Sequence, residues 1–510
     1  MIIYFIIILI VTVYFYGTRN HDYWSKRNIK YSPPVPIFGN YFKILFGLKS
    51  TTIISTEVYY KYPNEKVVGQ YCGNTPELII RDPEIVRDIL NVDFAHFYNR
   101  GLSRDVKKEP LLKNIFNADG DIWKLLRQRL TPAFTTAKLK SMFPLIVKCA
   151  EKLHDVADEI VEKGGDCDVR DLMARFSIEF IGACGLGIEM DTITNENSVF
   201  RKMGKEIFNR SFRQIFLFEL YNVLPETRNF YTICNKNVEK FFMNMITRVF
   251  EQRNFKPSGR NDFVDLILDL AAKGKITGNS IEHMNTDGTP KEVELEMDLT
   301  CMIAQVFVFF AAGFETTSSA TSFLLHELAH NQELQKNIQQ EIDEVLMKYD
   351  NRLCYEAVAE MTLLDLALKE SLRMYSPTGF LTRVCANQYK ISQLGVTIDS
   401  GVRIIIPLHA LQNDEKHFDK PEQFRPERFA NDQNMKSSYV YMPFGIGPRN
   451  CIGYRLGQMQ SLAGVAALLQ NFSVEPSEKT SRVLKMDPRL NLPTVKGGIP
   501  LKLLSRSKLP

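Results

Sequence analysis

The chain has 510 residues, 45% hydrophobic and 24% charged, with a formal net charge of +4. This is ordinary for a globular protein of one large domain or several small ones, and the charge excess is too small, with no long basic run, to mark a nucleic-acid binder. Nine cysteines, scattered without a C-x-x-C pair, argue against a disulfide framework and for a reducing compartment.

Met1 to Tyr16 is apolar apart from Thr12, near the lower length limit for a bilayer span. Tyr14, Tyr16, Tyr23 and Trp24 suit an interfacial aromatic belt. Arg19, Lys26, Arg27 and Lys30 all follow the apolar run, which predicts an uncleaved anchor over residues 1–18 with the body of the protein in the cytosol. A cleaved signal peptide is disfavoured, because a basic leading region and a small-residue cleavage site are both missing. Residues 19–40 read as a basic, proline-rich linker that Pro33, Pro34 and Pro36 keep stiff and extended. Residues 41–510 read as one domain without internal repeats. Helical patterns are predicted at 82–91, 119–133, 137–163, 168–185, 198–216, 230–253, 261–273, 293–324, 326–348, 355–375 and 452–471. Strands are predicted at 66–72, 76–81, 388–398 and 402–407, and the Gly-, Asn- and Thr-rich stretch 274–292 reads as an exposed loop. The fold class is mainly α with a small β portion, neither alternating βα nor a strand sandwich.

Several short patterns carry chemistry. Ala311-Ala312-Gly313-Phe314-Glu315-Thr316-Thr317-Ser318 follows the apolar run Cys301 to Phe310. A glycine inside a helix costs about 1 kcal/mol relative to alanine, and an acid in an apolar helix needs a reason. His326-Glu327-Leu328-Ala329-His330 satisfies H-E-x-x-H, a zinc-hydrolase pattern. It lacks the metzincin glycine, since Glu333 holds that place, and Glu341 and Glu344 lie too close to supply a third ligand in the usual layout. Glu370 and Arg373 share a helix face upstream of Pro426-Glu427-Arg428-Phe429. Phe444-Gly445-Ile446-Gly447-Pro448-Arg449-Asn450-Cys451-Ile452-Gly453 puts a cysteine after a glycine-rich turn and before an amphipathic segment. The helix dipole and the neighbouring arginine are expected to lower the thiol pKa and favour thiolate, a ligand for ferric iron.

That last stretch resembles the haem-binding loop of cytochrome P450s, in which a cysteine thiolate is the proximal iron ligand. The other patterns fall in the family's order, so the resemblance runs from the anchor to about residue 500. It implies the cytochrome P450 fold, with a haem-thiolate catalytic domain over 41–510. Cys451 becomes the axial ligand of haem b, with Phe444 in its loop. Gly313 opens room on the distal helix, Thr316 relays protons, and Glu315 connects that relay to water. Glu370, Arg373 and Arg428 form a buried cluster, and Trp123, Arg127, Arg383 and Arg449 serve the haem propionates. Leu130 to Lys140 looks most like insect microsomal members related to vertebrate drug-metabolising ones.

The activity implied is insertion of one oxygen atom from dioxygen into a lipophilic molecule at the endoplasmic reticulum membrane. A plant toxin or insecticide is the first choice of substrate, with steroids and fatty acids as alternatives. Substrate contacts are expected around 100–117, 207–220, 305–312 and 377–381, with Phe208, Phe212, Phe216, Phe218, Phe307 and Phe380 as an aromatic lining. No flavin or nicotinamide motif is present. Electrons are therefore expected from NADPH–cytochrome P450 reductase, with cytochrome b5 as a second donor, docking on Lys124, Arg129, Lys138, Lys140 and Lys436. Competing readings are a peroxide-consuming haem-thiolate isomerase or dehydratase, a non-catalytic haem binder and the zinc hydrolase.

Overall fold

The computed structural model describes residues 1–208, 211–229, 232–430 and 439–506. Its longer helices are α1 Ile2–Thr18, α2 Thr51–Lys61, α3 Gly120–Leu130, α4 Thr136–Glu162, α5 Val169–Ile181, α6 Val199–Phe208 and α7 Phe212–Val223. They continue with α8 Lys236–Gln252, α9 Phe263–Ala272, α10 Leu299–His330, α11 Gln332–Met347, α12 Thr362–Met374 and α13 Tyr454–Asn471. The strands are β1 Val67–Cys72, β2 Thr75–Ile80, β3 Asp166–Asp168, β4 Lys275–Met284, β5 Pro290–Glu296, β6 Leu381–Val384, β7 Tyr389–Ile391, β8 Val396–Ile398, β9 Arg403–Ile406, β10 Phe472–Pro476 and β11 Pro500–Ser505. One sheet has the order β1-β2-β9-β6, with β2 and β9 parallel and the other pairs antiparallel. A second has the order β10-β11-β3, and β4–β5 and β7–β8 are separate hairpins.

The axis of the molecule is α10, whose 32 residues span roughly 48 Å at 1.5 Å per residue. Its apolar run is buried nearly all round, the pattern of a core helix. The Asp298 side chain caps it by accepting from the Cys301 N–H at 2.7 Å. It runs unbroken past the expected end at 324 to Asn331, whose side chain caps α11 instead. By length and composition α10 could cross a bilayer, but its neighbours α5, α12 and α13 bury it.

Two readings of the sequence are corrected. Residues 274–292 are largely not a loop: they form the β4–β5 hairpin, with Lys275 opposite Glu296 and Ile276 opposite Leu295. Its inner face is held on α3, where Gly278 meets Leu125, and the Asp121 carboxylate accepts from Ser280 Oγ and the Ile281 N–H. Apolar Val293 and Leu295 alternate with Glu292, Glu294 and Glu296, a period-two signal masked by the polar composition. Trp24 is not in an interfacial belt either. It is fully buried, packs where a Cβ on Gly69 would sit, and donates Nε1–H to the Gln70 carbonyl at 3.1 Å. The segment after α1 is thereby bound to the first sheet, with bridges from Tyr31 to Gly69 and Gly39 to Cys72. Only α1 stands apart, exposed along its apolar length except at Gly17.

The H-E-x-x-H pattern lies at the end of α10 and has a structural use. Glu327 accepts from the Tyr375 hydroxyl at 2.7 Å and from Arg482 at 2.8 Å. His326 is fully buried, and its Nε2 donates to the Arg482 carbonyl at 3.3 Å. Burial lowers the His326 pKa to about 4. The unfolded chain therefore takes up this proton first as pH falls. Stability from this group is complete above the unfolded pKa near 6.5 and declines towards pH 4. The loss is about 3 kcal/mol at 1.36 kcal/mol per pH unit. Urea unfolding of His326→Gln is expected to lack that part of the acid loss; an identical pH slope in both proteins would show that His326 is not its source.

Candidate active site

Cys451 sits at the end of a turn shaped by two glycines with positive φ, Gly445 at 68° and Gly447 at 76°. At Gly447 the requirement is absolute, because a Cβ would lie 1.9 Å from the Leu90 carbonyl oxygen. The turn closes through the Cys451 N–H, which donates to the Phe444 carbonyl at 2.8 Å. Cys451 is solvent-accessible, although protein groups crowd around its sulfur. Burial pushes the thiol pKa up, opposed by the Gly453 N–H at the start of α13 and by the Arg100 and Arg127 guanidinium groups. The expected lowering is thus reversed: desolvation outweighs dipole and arginines, and a thiolate here needs a bound cation.

Arg449, two residues before the cysteine, is buried and turns away from it. It donates to the Tyr98 and Ala118 carbonyls and to Asp119 Oδ1, with its guanidinium 4.7 Å from the Trp123 ring centre. Arg127, four residues after Trp123 on α3, donates to the Asn450 carbonyl at 2.7 Å and to its Oδ1 at 2.6 Å. Arg383 reaches the same region from β6, because the Val384 N–H donates to the Asn99 carbonyl at 2.8 Å. Arg100, which the sequence marked only as the start of an expected substrate-contact stretch, joins them here. It donates to the Arg449 carbonyl at 3.0 Å and joins the cluster only through the chain path. Burial lowers the pKa of Arg449 to about 9 and of Arg100 to about 10, and lowers Arg127. Arg383 falls well below its ordinary value through burial and repulsion by Arg100 and Arg449. Asp119 is the one carboxylate countering these groups among the described residues, where Arg383 Nε and Arg449 Nε are buried without a hydrogen-bond partner.

On α10, Ala312 and Thr316 are the more open positions of a buried stretch, and Thr316 Oγ1 donates to the Ala312 carbonyl at 2.8 Å. Gly313 answers a packing demand that the sequence did not reveal: a Cβ there would lie 2.5 Å from Ile181 Cδ1 on α5. Glu315 is 8% exposed and paired with Arg170 at the start of α5, a residue that sequence reasoning missed. Its carboxylate is therefore held by an arginine from another helix.

The loop is pinned from behind. Arg373 and Glu370 are fully buried and bidentate, Nε to Oε2 at 2.8 Å and Nη2 to Oε1 at 2.9 Å. Arg428 Nε adds a bond to Glu370 Oε1 at 3.1 Å, as does the Arg425 N–H at 3.0 Å. Arg373 also donates to the Gln412 and Pro421 carbonyls. Gln412 Oε1 then accepts from the Met442 N–H at 3.0 Å, at the foot of the cysteine turn. The structure thus brings Glu370, Arg373 and Arg428 together as the resemblance implied.

The proposed aromatic lining does not hold as one surface. Phe307 packs on Phe242 in the core, Phe380 lies against the first sheet, and Phe212 is 54% exposed. Of the cations suggested for partner docking, Lys124 and Arg129 donate to the β4 carbonyls of Ser280 and Thr277. Lys138 reaches Asn261, and Lys140 pairs with Glu356 at 2.6 Å. Lys436 lies outside the described residues.

Comparison with known proteins accords with this geometry. A family model described as Cytochrome P450 matches residues 30–501. Cytochrome P450 6B2 of Helicoverpa armigera is 38% identical over 501 residues, 98% of this chain and 97% of that protein. Cytochrome P450 6a2 of Drosophila melanogaster is 34% identical over 521 residues, 99% of each. Cytochrome P450 6B1 of Papilio polyxenes is 35% identical over 496 residues, 97% of each. The chain belongs to the cytochrome P450 family and is a haem-dependent monooxygenase, similar throughout to these insect members.

The residues present fit haem b. The Cys451 thiol is accessible, and the arginine cluster carries an excess of positive charge, with buried N–H groups of Arg383 and Arg449 left without partners, that suits the two propionates. Cys451 would hold the iron, and Arg100, Arg127, Arg383 and Arg449 the propionates. Breaking one partner out of the Glu370 cluster strands the others. Glu370→Ala is therefore expected to destabilise the protein by about 3–5 kcal/mol, measured by urea unfolding, and to lower haem content. Wild-type stability in this variant would remove the cluster as the support of the loop.

Proposed function

We propose that this monooxygenase acts at the endoplasmic reticulum membrane on lipophilic small molecules of xenobiotic type, plant toxins or insecticides. Its body lies on the cytosolic side and draws electrons from NADPH through NADPH–cytochrome P450 reductase, with cytochrome b5 as an accessory donor. One observation carries the membrane part: α1 is apolar and exposed along its length while the segment after it is clasped to the sheet. At 17 residues it is about 26 Å long, close to the hydrocarbon thickness of a bilayer. The basic residues Arg19, Lys26, Arg27 and Lys30 follow it, as the orientation requires.

The reaction balances as substrate C–H, O2, NADPH and a proton giving the alcohol, water and NADP+. Haem, when bound, supplies dioxygen binding and its two-electron reductive cleavage. The chain's own residues supply the rest. Cys451 provides the electron-rich sulfur at the end of its glycine turn. Thr316 holds a hydroxyl proton at Oγ1 on the open stripe of α10, with the Ala312 carbonyl as its resting acceptor. The Glu315 carboxylate, on the next residue and held by Arg170, is the group we assign to proton exchange with water.

In a reduced, carbon monoxide difference spectrum of membranes, wild type should show the red-shifted Soret band of thiolate-ligated haem, and Cys451→Ala should lose it. A retained thiolate band in the variant would refute the ligand. Thr316→Ala, reconstituted with reductase, should yield several-fold less product per NADPH, with hydrogen peroxide making up the difference. Full coupling would remove Thr316 from proton delivery. Turnover of peroxides without NADPH, in place of NADPH-dependent oxygenation, would support the isomerase reading.

A further inference from the structure

Most hydroxyls in the second half of α10 are answered within the helix. Thr316, Ser318, Thr321 and Ser322 each donate to a carbonyl about one turn back on α10 itself. Thr317 is 4% exposed, and its hydroxyl has no hydrogen-bond partner among the described residues. It faces α13. Thr317 Oγ1 lies 4.0 Å from the place a Cβ on Gly457 would take, and Phe444 Cε1 lies at the same distance. No other side chain comes that near, so Gly457 leaves an open space between the two helices.

Gln460 stands one turn further along α13. It is 0% exposed, and neither its Oε1 nor its Nε2 has a partner. Among the described residues it is the one side-chain amide with both ends buried and unpaired. Other buried glutamines spend theirs: Gln335, Gln339 and Gln412 donate to the carbonyls of Val474, Phe472 and Leu372. A helical side chain leans towards the N-terminus and covers the turn before it. The Gln460 amide is thereby directed over Gly457, the turn at which Thr317 meets α13. The following turn is closed, because a Cβ on Gly464 would lie 2.7 Å from Phe176 Cε1 of α5. Three polar atoms from two helices thus converge on one open space, which is what a buried water needs for its partners.

We propose that a water is bound between Gln460 and Thr317 in the space over Gly457, and that it fixes the roll of α10 against α13. Gln460 is then a positioning residue of the oxygenation reaction. α13 opens just after Cys451, and α10 carries Thr316 beside Thr317. The water cross-links the helix that follows the sulfur to the helix that presents the Thr316 hydroxyl. A bridge required by polar groups on both sides holds one geometry, whereas apolar packing lets two helices roll. Gln460 acts through the water and Thr317. The positioning role rests on the monooxygenase reading above, and the bound water does not.

The first readout is a crystal structure of the haem-loaded protein. A water should lie within about 3.2 Å of Thr317 Oγ1 and of at least one end of the Gln460 amide. A dry junction, or a direct bond between Gln460 and Thr317, would overturn the proposal whatever the activity. The second readout is turnover of 7-ethoxycoumarin with reductase, scored as product per NADPH, beside thermal melting and the reduced carbon monoxide spectrum. Gln460→Leu removes the unpaired amide, so it should melt at or above the wild-type temperature. It should nevertheless give about threefold less product per NADPH. Gln460→Glu, whose buried acid stays protonated and keeps a donor and an acceptor, should stay within about twofold of wild type. Thr317→Val should match Gln460→Leu, and the double variant should lose no more than either one alone. Thr317→Val carries the test if Gln460→Leu does not fold. Unchanged product per NADPH in Gln460→Leu and Thr317→Val would overturn the positioning role, as would a multiplied loss in the double variant or a Glu variant as poor as the Leu one. Loss of the thiolate band in the wild type would instead speak against the haem-thiolate reading.

Discussion

A thiol near two buried and two half-buried guanidinium groups is the constraint on which the site depends. Each charge costs several kcal/mol to keep out of water unless it is paired. Asp119 counters the arginines only in part, and burial raises the Cys451 pKa despite them. Bound haem would answer both: Cys451 would hold its iron as thiolate, and the guanidinium N–H groups left without partners would hold its carboxylates. The preference for haem is thus written in charge balance as well as in the cysteine turn.

The rest of the fold keeps those charges in place. Glu370 and Arg373 lie far from the sulfur in sequence, yet they reach it through a short chain of bonds. Arg373 fixes Gln412, Gln412 fixes Met442, and Met442 opens the turn that Cys451 closes. On the other side, Asp119 and Asn99 bring the Arg100 backbone, the Arg449 side chain and β6 to one place. The Glu370 arrangement uses satisfied buried polar groups, which position a loop more sharply than apolar packing does.

The β4–β5 hairpin alters the picture of partner docking. By accepting from Lys124 and Arg129 it draws these cations into intramolecular bonds, while Glu292, Glu294 and Glu296 on its β5 strand are exposed. Lys138 and Lys140 also have partners, though exposed ones, and such surface pairs are weak enough to exchange for an acidic protein face.

The sequence by itself determined what is local. The apolar run of α1, the long apolar helix α10, the glycine turn before Cys451 and the Glu370–Arg373 pair were legible because helix periodicity, positive-φ glycines and short spacings act over a few residues. Tertiary structure decided what depends on distant partners. Arg100 and Arg170 became site residues only when the chain brought them to Arg449 and Glu315. Gly313 found its reason in Ile181, and Trp24 left the expected membrane belt for a slot over Gly69. The sign of the Cys451 shift was decided there too: neighbouring charge can be read along a sequence, but the desolvation that outweighs it exists only once the surrounding protein has closed around the sulfur.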